Sequence, residues 1–303
     1  MAFVREKRKG ISIHYELVEN KREGDKVKQK ILKYFSTKKD MSDYCQKNDI
    51  PLPEETPIFD ETTSKRVEEK LKKLNSLRPL PSAALKSLKE KFEVEMTYNS
   101  NAIEGNRLTL KETYLVLRKG MTIKGKSIEE HLEATNHKEA LAFLESLVNK
   151  NEITEQDILE IHAIILDKIN PKYAGFYRQE QVYIGGSKHI PPKWKEVPKL
   201  MRNIINEINS KEKGIRSIES AVKIHYDFVW IHPFIDGNGH LARLLCNLRL
   251  MRAHFPPIVL KKNIRKTYYD AMDRADEGDL KPLAQITIRD VEEALDLFIS
   301  AAS

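Results

Sequence analysis

The chain has 303 residues, 40% hydrophobic and 32% charged, a water-soluble balance with enough apolar content for a sizeable core. Its formal net charge of +7 is uneven: residues 1–40 hold 12 basic and 6 acidic side chains, leaving 40 basic and 39 acidic for the rest. No apolar run reaches the ~18 residues of a membrane span, the N-terminus lacks the apolar stretch of a secretory signal, and two cysteines, Cys45 and Cys246, supply neither a disulfide framework nor a metal knuckle. A cytoplasmic protein without membrane partners is the expectation.

Residues 11–18 alternate apolar and polar, a polar turn follows at 20–25, and 27–35 alternates again. Period two, a glycine-containing turn and period two predict a β-hairpin. Its Lys-rich second strand suits two readings, a solvated hairpin docked on the body or a surface lying along nucleic-acid phosphates. Pro51, Pro53 and Pro57 mark a linker over residues 51–65. The expected organisation is a basic hairpin segment over 1–40, linker and helical lead-in over 41–80, and a helical domain over 81–303.

The rest reads as helices with clear start signals. Thr109 with Glu112, Ser127 with Glu130, and Thr154 with Asp157 have capping-box spacing, in which hydroxyl and carboxylate satisfy each other's orphan N–H groups. Ile158, Ile161, His162, Ile165 and Leu166 form a core-facing stripe, and Ala221, Val222, Ile224, His225 and Phe228 another. His225 reads as a hydrogen-bonded core residue. One island, residues 182–192, places two short runs around Gly185-Gly186 and suggests a small projecting hairpin of Val182, Tyr183, Ile184 and their partners.

The most informative stretch is His232-Pro233-Phe234-Ile235-Asp236-Gly237-Asn238-Gly239-His240-Leu241-Ala242-Arg243. A helix runs into a Gly-x-Gly loop and out into a second helix with a Leu241, Leu244, Leu245, Leu248 stripe. Gly237 and Gly239 let backbone N–H groups point inward, and the following helix N-terminus adds its positive end, which together make an anion cradle sized for phosphate. Arg243, one turn on and off the Leu stripe, can reach a phosphate tail. Asp236 is a hard oxygen ligand suited to Mg²⁺, and His232 can take a proton near neutral pH. A calcium loop does not fit, because Leu241 and Asn247 stand where glycine and glutamate are needed.

This stretch closely resembles the motif of the Fic family, HPFx(D/E)GNGRxxR, and the resemblance extends over roughly residues 80–300. It implies a mainly α fold: a Fic-type helical bundle with a small β-hairpin flap, here with a short N-terminal β-hairpin segment added. It also implies a protein adenylyltransferase that moves AMP from ATP to a Ser, Thr or Tyr hydroxyl of a target protein or of itself. His232 would be the general base and Asp236 would hold Mg²⁺. Asn238 and the N–H groups of Gly237 and Gly239 would steady the α-phosphate. Arg243 would grip the distal phosphates, Tyr268 and Asp276 would line the adenosine pocket, and the flap at 182–186 would accept an extended target segment. The chain departs from the motif at His240, where the family carries arginine, which puts the hold on the distal phosphates and the nucleotide preference in question.

Upstream, Ser100-Asn101-Ala102-Ile103-Glu104-Gly105 ends an expected helix (about 83–105) with Gly105 as its left-handed cap. It also matches the inhibitory motif of Fic proteins, [S/T]xxxE[G/N], which implies that Glu104 pairs with Arg243 and brakes the enzyme. In some relatives the same glutamate supports removal of AMP, and dimerisation relieves the brake. Two other readings stay open: a nucleic-acid-binding regulator that works through residues 1–40, and transfer of a different nucleotide group.

Overall fold

The computed structural model describes residues 2–9, 12–23, 26–35, 38–48, 50–51 and 57–302. The expected N-terminal hairpin is present as β2 (Ser12–Glu23) and β3 (Lys26–Phe35), and a further strand, β1 (Ala2–Lys9), pairs antiparallel with β2 on its other side. The charged run of β1 hides its alternation, so its strand character comes from pairing rather than from pattern. Leu17 faces Lys33 whereas Val18 faces Ile31, so Leu32 is an extra residue on β3, a β-bulge that adds twist. Helix α1 (Lys38–Lys47) covers one face of this sheet, where Val4, Tyr15, Leu17 and Phe35 close on Met41 and Cys45 as a small core of their own.

Helix α2 (Glu61–Ser76) begins inside the stretch that reads as linker. Asp60 accepts a hydrogen bond from the Thr63 N–H at 2.7 Å and caps it, a signal outweighed in the sequence by the prolines before it. The body continues with α3 (Ser82–Glu104), α4 (Leu110–Lys119), α5 (Ile128–Leu147), α6 (Glu155–Ile165), α7 (Val197–Ile208), α8 (Ile215–Ile231), α9 (Asn238–Arg252), α10 (Arg265–Asp276) and α11 (Lys281–Ala302). All three expected capping boxes form, at the starts of α4, α5 and α6.

Helix α9 is buried on nearly every side, packed on α8 and flanked by α3, α5, α6 and α7. Such a helix has no polar face to turn to water, and its Arg249 is satisfied internally by Ser220 Oγ, Ser210 Oγ and the Glu212 carbonyl. The α8–α9 connection therefore emerges at one end of the bundle, held between the C-terminus of α3 and the face of α6. Among the described residues no helix is long and apolar enough to cross a membrane. The segment 182–192 carries a turn, with Ser187 N–H donating to the Ile184 carbonyl at 3.2 Å, but no paired strands. Pro191 and Pro192 have no N–H to give to a ladder, which leaves the expected hairpin open.

Candidate active site

Helix α8 ends at His232, whose φ of 50° lies in the left-handed region while its N–H still reaches the Phe228 carbonyl at 3.0 Å. For a non-glycine residue this conformation costs on the order of 1 kcal/mol. Pro233 disfavours the right-handed helical alternative for the residue before it. Arg178, buried, adds a clamp: Nε donates to the His232 carbonyl at 2.8 Å, Nη2 to the Pro192 carbonyl at 2.5 Å, and its own N–H to the Pro233 carbonyl at 2.9 Å. One guanidinium thus joins the end of α8 to the flap.

The loop then closes on itself. Asn238 accepts from the Phe234 N–H at 3.1 Å and donates to the Phe234 carbonyl at 3.0 Å, and it is buried. Both ends of its amide are engaged in shaping the loop. Asp236 Oδ1 accepts from the Gly237 N–H at 2.7 Å, and Gly237 takes the left-handed conformation, φ 74°, at the N-cap of α9.

His162, read from the sequence only as one member of an apolar stripe, is a further part of the site. Its ring stacks on Phe234 with centroids 3.6 Å apart. Nδ1 accepts from the Gly175 N–H at 2.9 Å, so the proton lies on Nε2, which donates to the Asp236 carbonyl at 3.1 Å. Burial lowers its pKa to about 4, opposed by the Asp236 carbonyl and carboxylate. A neutral histidine therefore braces the metal-ligand candidate from α6. No sequence signal separates this histidine from a merely buried one.

His232, Asp236, Gly237, Asn238, Gly239 and His240 line a cleft of about 300 Å³ together with Glu104, Glu129, Glu133 and His137. The His232 pKa is lowered to about 4, chiefly by burial, with the Val229 carbonyl pulling the other way. Nδ1–H points at that carbonyl, 3.4 Å away, which leaves the Nε2 lone pair as the base. Glu133 accepts from Asn106 Nδ2 at 2.6 Å, and burial pushes its carboxyl up, with Glu129 and Asp236 adding to the effect. Among the described residues no three His, Cys, Asp or Glu side chains converge as a metal cage.

At the rim of the cradle Arg243 Nη2 donates to Glu104 Oε1 at 2.8 Å and to the Ser100 carbonyl at 3.1 Å, while Nε donates to Ser100 Oγ at 2.9 Å. Its Nη1 is buried without a partner and lies against Gly239, where an added Cβ would sit 3.2 Å away. That same Cβ would overlap the Glu104 carboxylate. The anion cradle is therefore filled by a carboxylate of the chain itself. His240 turns the other way: Ser100 Oγ–H donates to its Nδ1 at 2.9 Å, the ring is buried beside His137, and burial with Arg243 lowers its pKa to about 3. On α9 it is a neutral acceptor for Ser100 of α3 and presents no cation to a nucleotide.

Two expected pocket residues lie apart from the cleft lining. Tyr268 is buried with Oη 2.9 Å from His225 Nε2, tying α10 to α8, and burial raises its pKa. Asp276 is half-buried at the end of α10 and accepts from Tyr226 Oη at 2.9 Å. Both face α8, and Tyr268 also lies near enough to Arg243 and Glu104 for their charges to act on its hydroxyl. In the flap, Tyr183 is exposed, Val182 and Ile184 are half-buried, and Gly185 and Gly186 form the turn. His189 Nε2 pairs with the Trp230 carbonyl at 2.7 Å and anchors the flap to α8.

The profile of the Fic/DOC family matches residues 152–250. Protein adenylyltransferase Fic of Drosophila grimshawi is 40% identical over 224 residues, covering 73% of this chain and 46% of that protein. Its namesake in Aedes aegypti is 38% identical over 248 residues, covering 81% and 49%. The chain thus spans about half the length of these curated relatives. Among solved structures, Fic-1 from C. elegans superposes with a TM-score of 0.70 at 35% identity, covering 79% of this chain and 71% of that one. A Fic-domain signalling protein from Bacteroides thetaiotaomicron gives 0.70 at 28% identity, covering 79% and 96%.

Proposed function

The chain belongs to the Fic/DOC family, and from that membership we propose that it is a protein adenylyltransferase held in an inhibited state by Glu104. The substrate hydroxyl oxygen, from a Ser, Thr or Tyr of a target protein or of the chain itself, attacks the α-phosphorus of ATP. The bond to the β-phosphate oxygen breaks, and pyrophosphate leaves. The names of the relatives support this reading. The observation that carries it is the filled cradle, with an unpartnered buried Arg243 Nη1 against Gly239 beside the Glu104 carboxylate.

In this mechanism His232 Nε2 takes the hydroxyl proton, a role worth about 10²–10⁴ in rate. The backbone N–H groups at the start of α9 and the Arg243 guanidinium meet the phosphates where charge develops. Asp236 would hold Mg²⁺, since one carboxylate completed by phosphates and waters is the usual set for that ion, and the ion would supply charge neutralisation on the phosphates. The open turn at Gly185-Gly186 offers unpaired backbone to an extended target segment.

His240 favours a second reading of nucleotide preference. Its neutral ring is bonded to Ser100, which leaves Arg243 alone to hold the distal phosphates and lowers the selectivity for a triphosphate. Incubation with α-labelled ATP and Mg²⁺ tests the main proposal: label is expected on protein and is expected to disappear in His232→Ala. Full labelling of His232→Ala overturns the catalytic assignment, and competition by other nucleotides separates the two preferences.

A further inference from the structure

We infer that the face of the N-terminal sheet turned away from α1 binds duplex DNA, a function separate from the nucleotide site. Register and alternation place Arg5, Lys7, Asn20, Arg22, Gln29 and Tyr34 together on that face, opposite the side that α1 closes. Three of them are already ordered as a row across the strands. Arg5 Nη1 donates to Gln29 Oε1 at 2.7 Å, and Gln29 Nε2 donates to Asn20 Oδ1 at 3.1 Å. The acid among the described side chains of that face, Glu16, is buried and paired with Arg5 Nε at 2.6 Å, so it neutralises one guanidinium and leaves Lys7 and Arg22 exposed.

Three observations favour DNA over other anionic partners. The charge is segregated: residues 1–40 carry 12 basic against 6 acidic side chains while the rest is nearly balanced; the register puts Lys21, Lys28, Lys30 and Lys33 on the sheet's other face and Arg5, Lys7 and Arg22 on this one, and none of the nucleotide-site residues lies there. Its apolar row, Phe3, Val18 and Ile31, is buried or half-buried, and the exposed groups around that row are polar and amide-bearing with Tyr34 as the exposed aromatic, which does not suit insertion into lipid. Two adjacent strands at a spacing of about 4.8 Å make the two-stranded ribbon that a major groove of about 12 Å admits, with the third strand at the groove's edge. Guanidinium and carboxamide groups at the centre are the side chains that read guanine and adenine edges there, and flanking lysine and arginine meet phosphates. The module closes its own core with α1, so the face is presented as a rigid surface.

The test uses the full chain and a fluorescein-labelled mixed-sequence duplex of about two helical turns, followed by anisotropy at increasing salt. For the two phosphate contacts of Lys7 and Arg22, affinity is expected to fall on the order of 10-fold between about 50 and about 200 mM salt. Lys7→Glu with Arg22→Glu is expected to weaken binding at least tenfold, at unchanged circular dichroism and unchanged labelling by ATP. Lys7→Gln with Arg22→Gln should lower the magnitude of the log–log salt slope by about two, a readout that survives if the charge reversal disturbs the sheet. Duplex binding insensitive to both double variants overturns the inference. Tighter binding to phosphatidylserine vesicles or to single-stranded RNA at the same salt also overturns it.

Discussion

The carboxylate of Glu104, at the C-terminus of α3, sits 2.8 Å from Arg243 Nη2 and over Gly239, on the spot where the N-terminus of α9 would receive an anion. Helix α3 therefore ends by inserting its own negative charge into the phosphate cradle. Gly105, φ 113°, stops the helix one residue later in a conformation that a side chain resists, and so fixes where that charge lies.

Replacing Glu104 by glycine frees the Arg243 fork and the cradle together. A charge-assisted hydrogen bond of about 1.5–3 kcal/mol corresponds to roughly 10- to 100-fold, so labelling by α-labelled ATP is expected to rise by about that factor. Equal labelling of the two chains would remove the inhibitory role from Glu104 and leave the family assignment standing.

The pH profile of kcat/KM reports the base of the free enzyme, and Glu104→Gly gives the rate needed to follow it. His232 works as the neutral imidazole, and its pKa is depressed to about 4 from the ordinary 6.5. The acid limb is therefore expected well below pH 6.5, with little change between pH 6 and pH 8 from this group. A break centred near 6.5 would show that the ring is more solvated than its burial between α8 and the loop implies.

His162→Phe keeps a ring against Phe234 but removes the donor to the Asp236 carbonyl and the acceptor for the Gly175 N–H. Two part-buried backbone groups lose their partner at about 0.5–1.5 kcal/mol each. Urea unfolding should register a loss in that range, and labelling should fall with a weaker Mg²⁺ dependence because the Asp236 loop is no longer braced. Unchanged labelling with a clear stability loss would confine His162 to a structural part.

Glu130 carries a prediction about acid stability. Hydrogen bonds from the Arg107 side chain, against the opposing effect of burial and with help from the Ser127 and Arg107 N–H groups, hold its carboxyl at about 2 instead of the ordinary 4.5. A depressed folded pKa stabilises above 4.5, and that stabilisation is lost as pH falls toward 2. Because Arg107 is largely exposed, Glu130→Gln is expected to cost only about 1–2 kcal/mol at pH 7, with the urea midpoints of the two chains drawing together below about pH 4.5 and converging toward about pH 2. A constant gap across that range contradicts the assignment.

Much of this protein was decided locally. Capping boxes at Thr109, Ser127 and Thr154, the left-handed Gly105, the α6 stripe and the Gly-x-Gly turn into α9 are contests between neighbours in the chain, settled by backbone sterics and by donors a few residues away. The family motif is legible for the same reason, since a cradle, a base and a carboxylate within twelve residues need no distant partner to be recognised. Other features depend on what packs across a gap in sequence, which no local pattern encodes. Strand β1 exists because β2 offers it an edge. His162 becomes a brace because α6 lies against the loop, and Asn238 turns inward because Phe234 offers both halves of a peptide. His240 faces Ser100 because α3 crosses above α9. Tyr268 and Asp276 meet His225 and Tyr226 because α10 packs on α8. Spacing along the chain identified the groups able to handle phosphate, and only the packing of helices far apart in sequence decided which of them face the cleft.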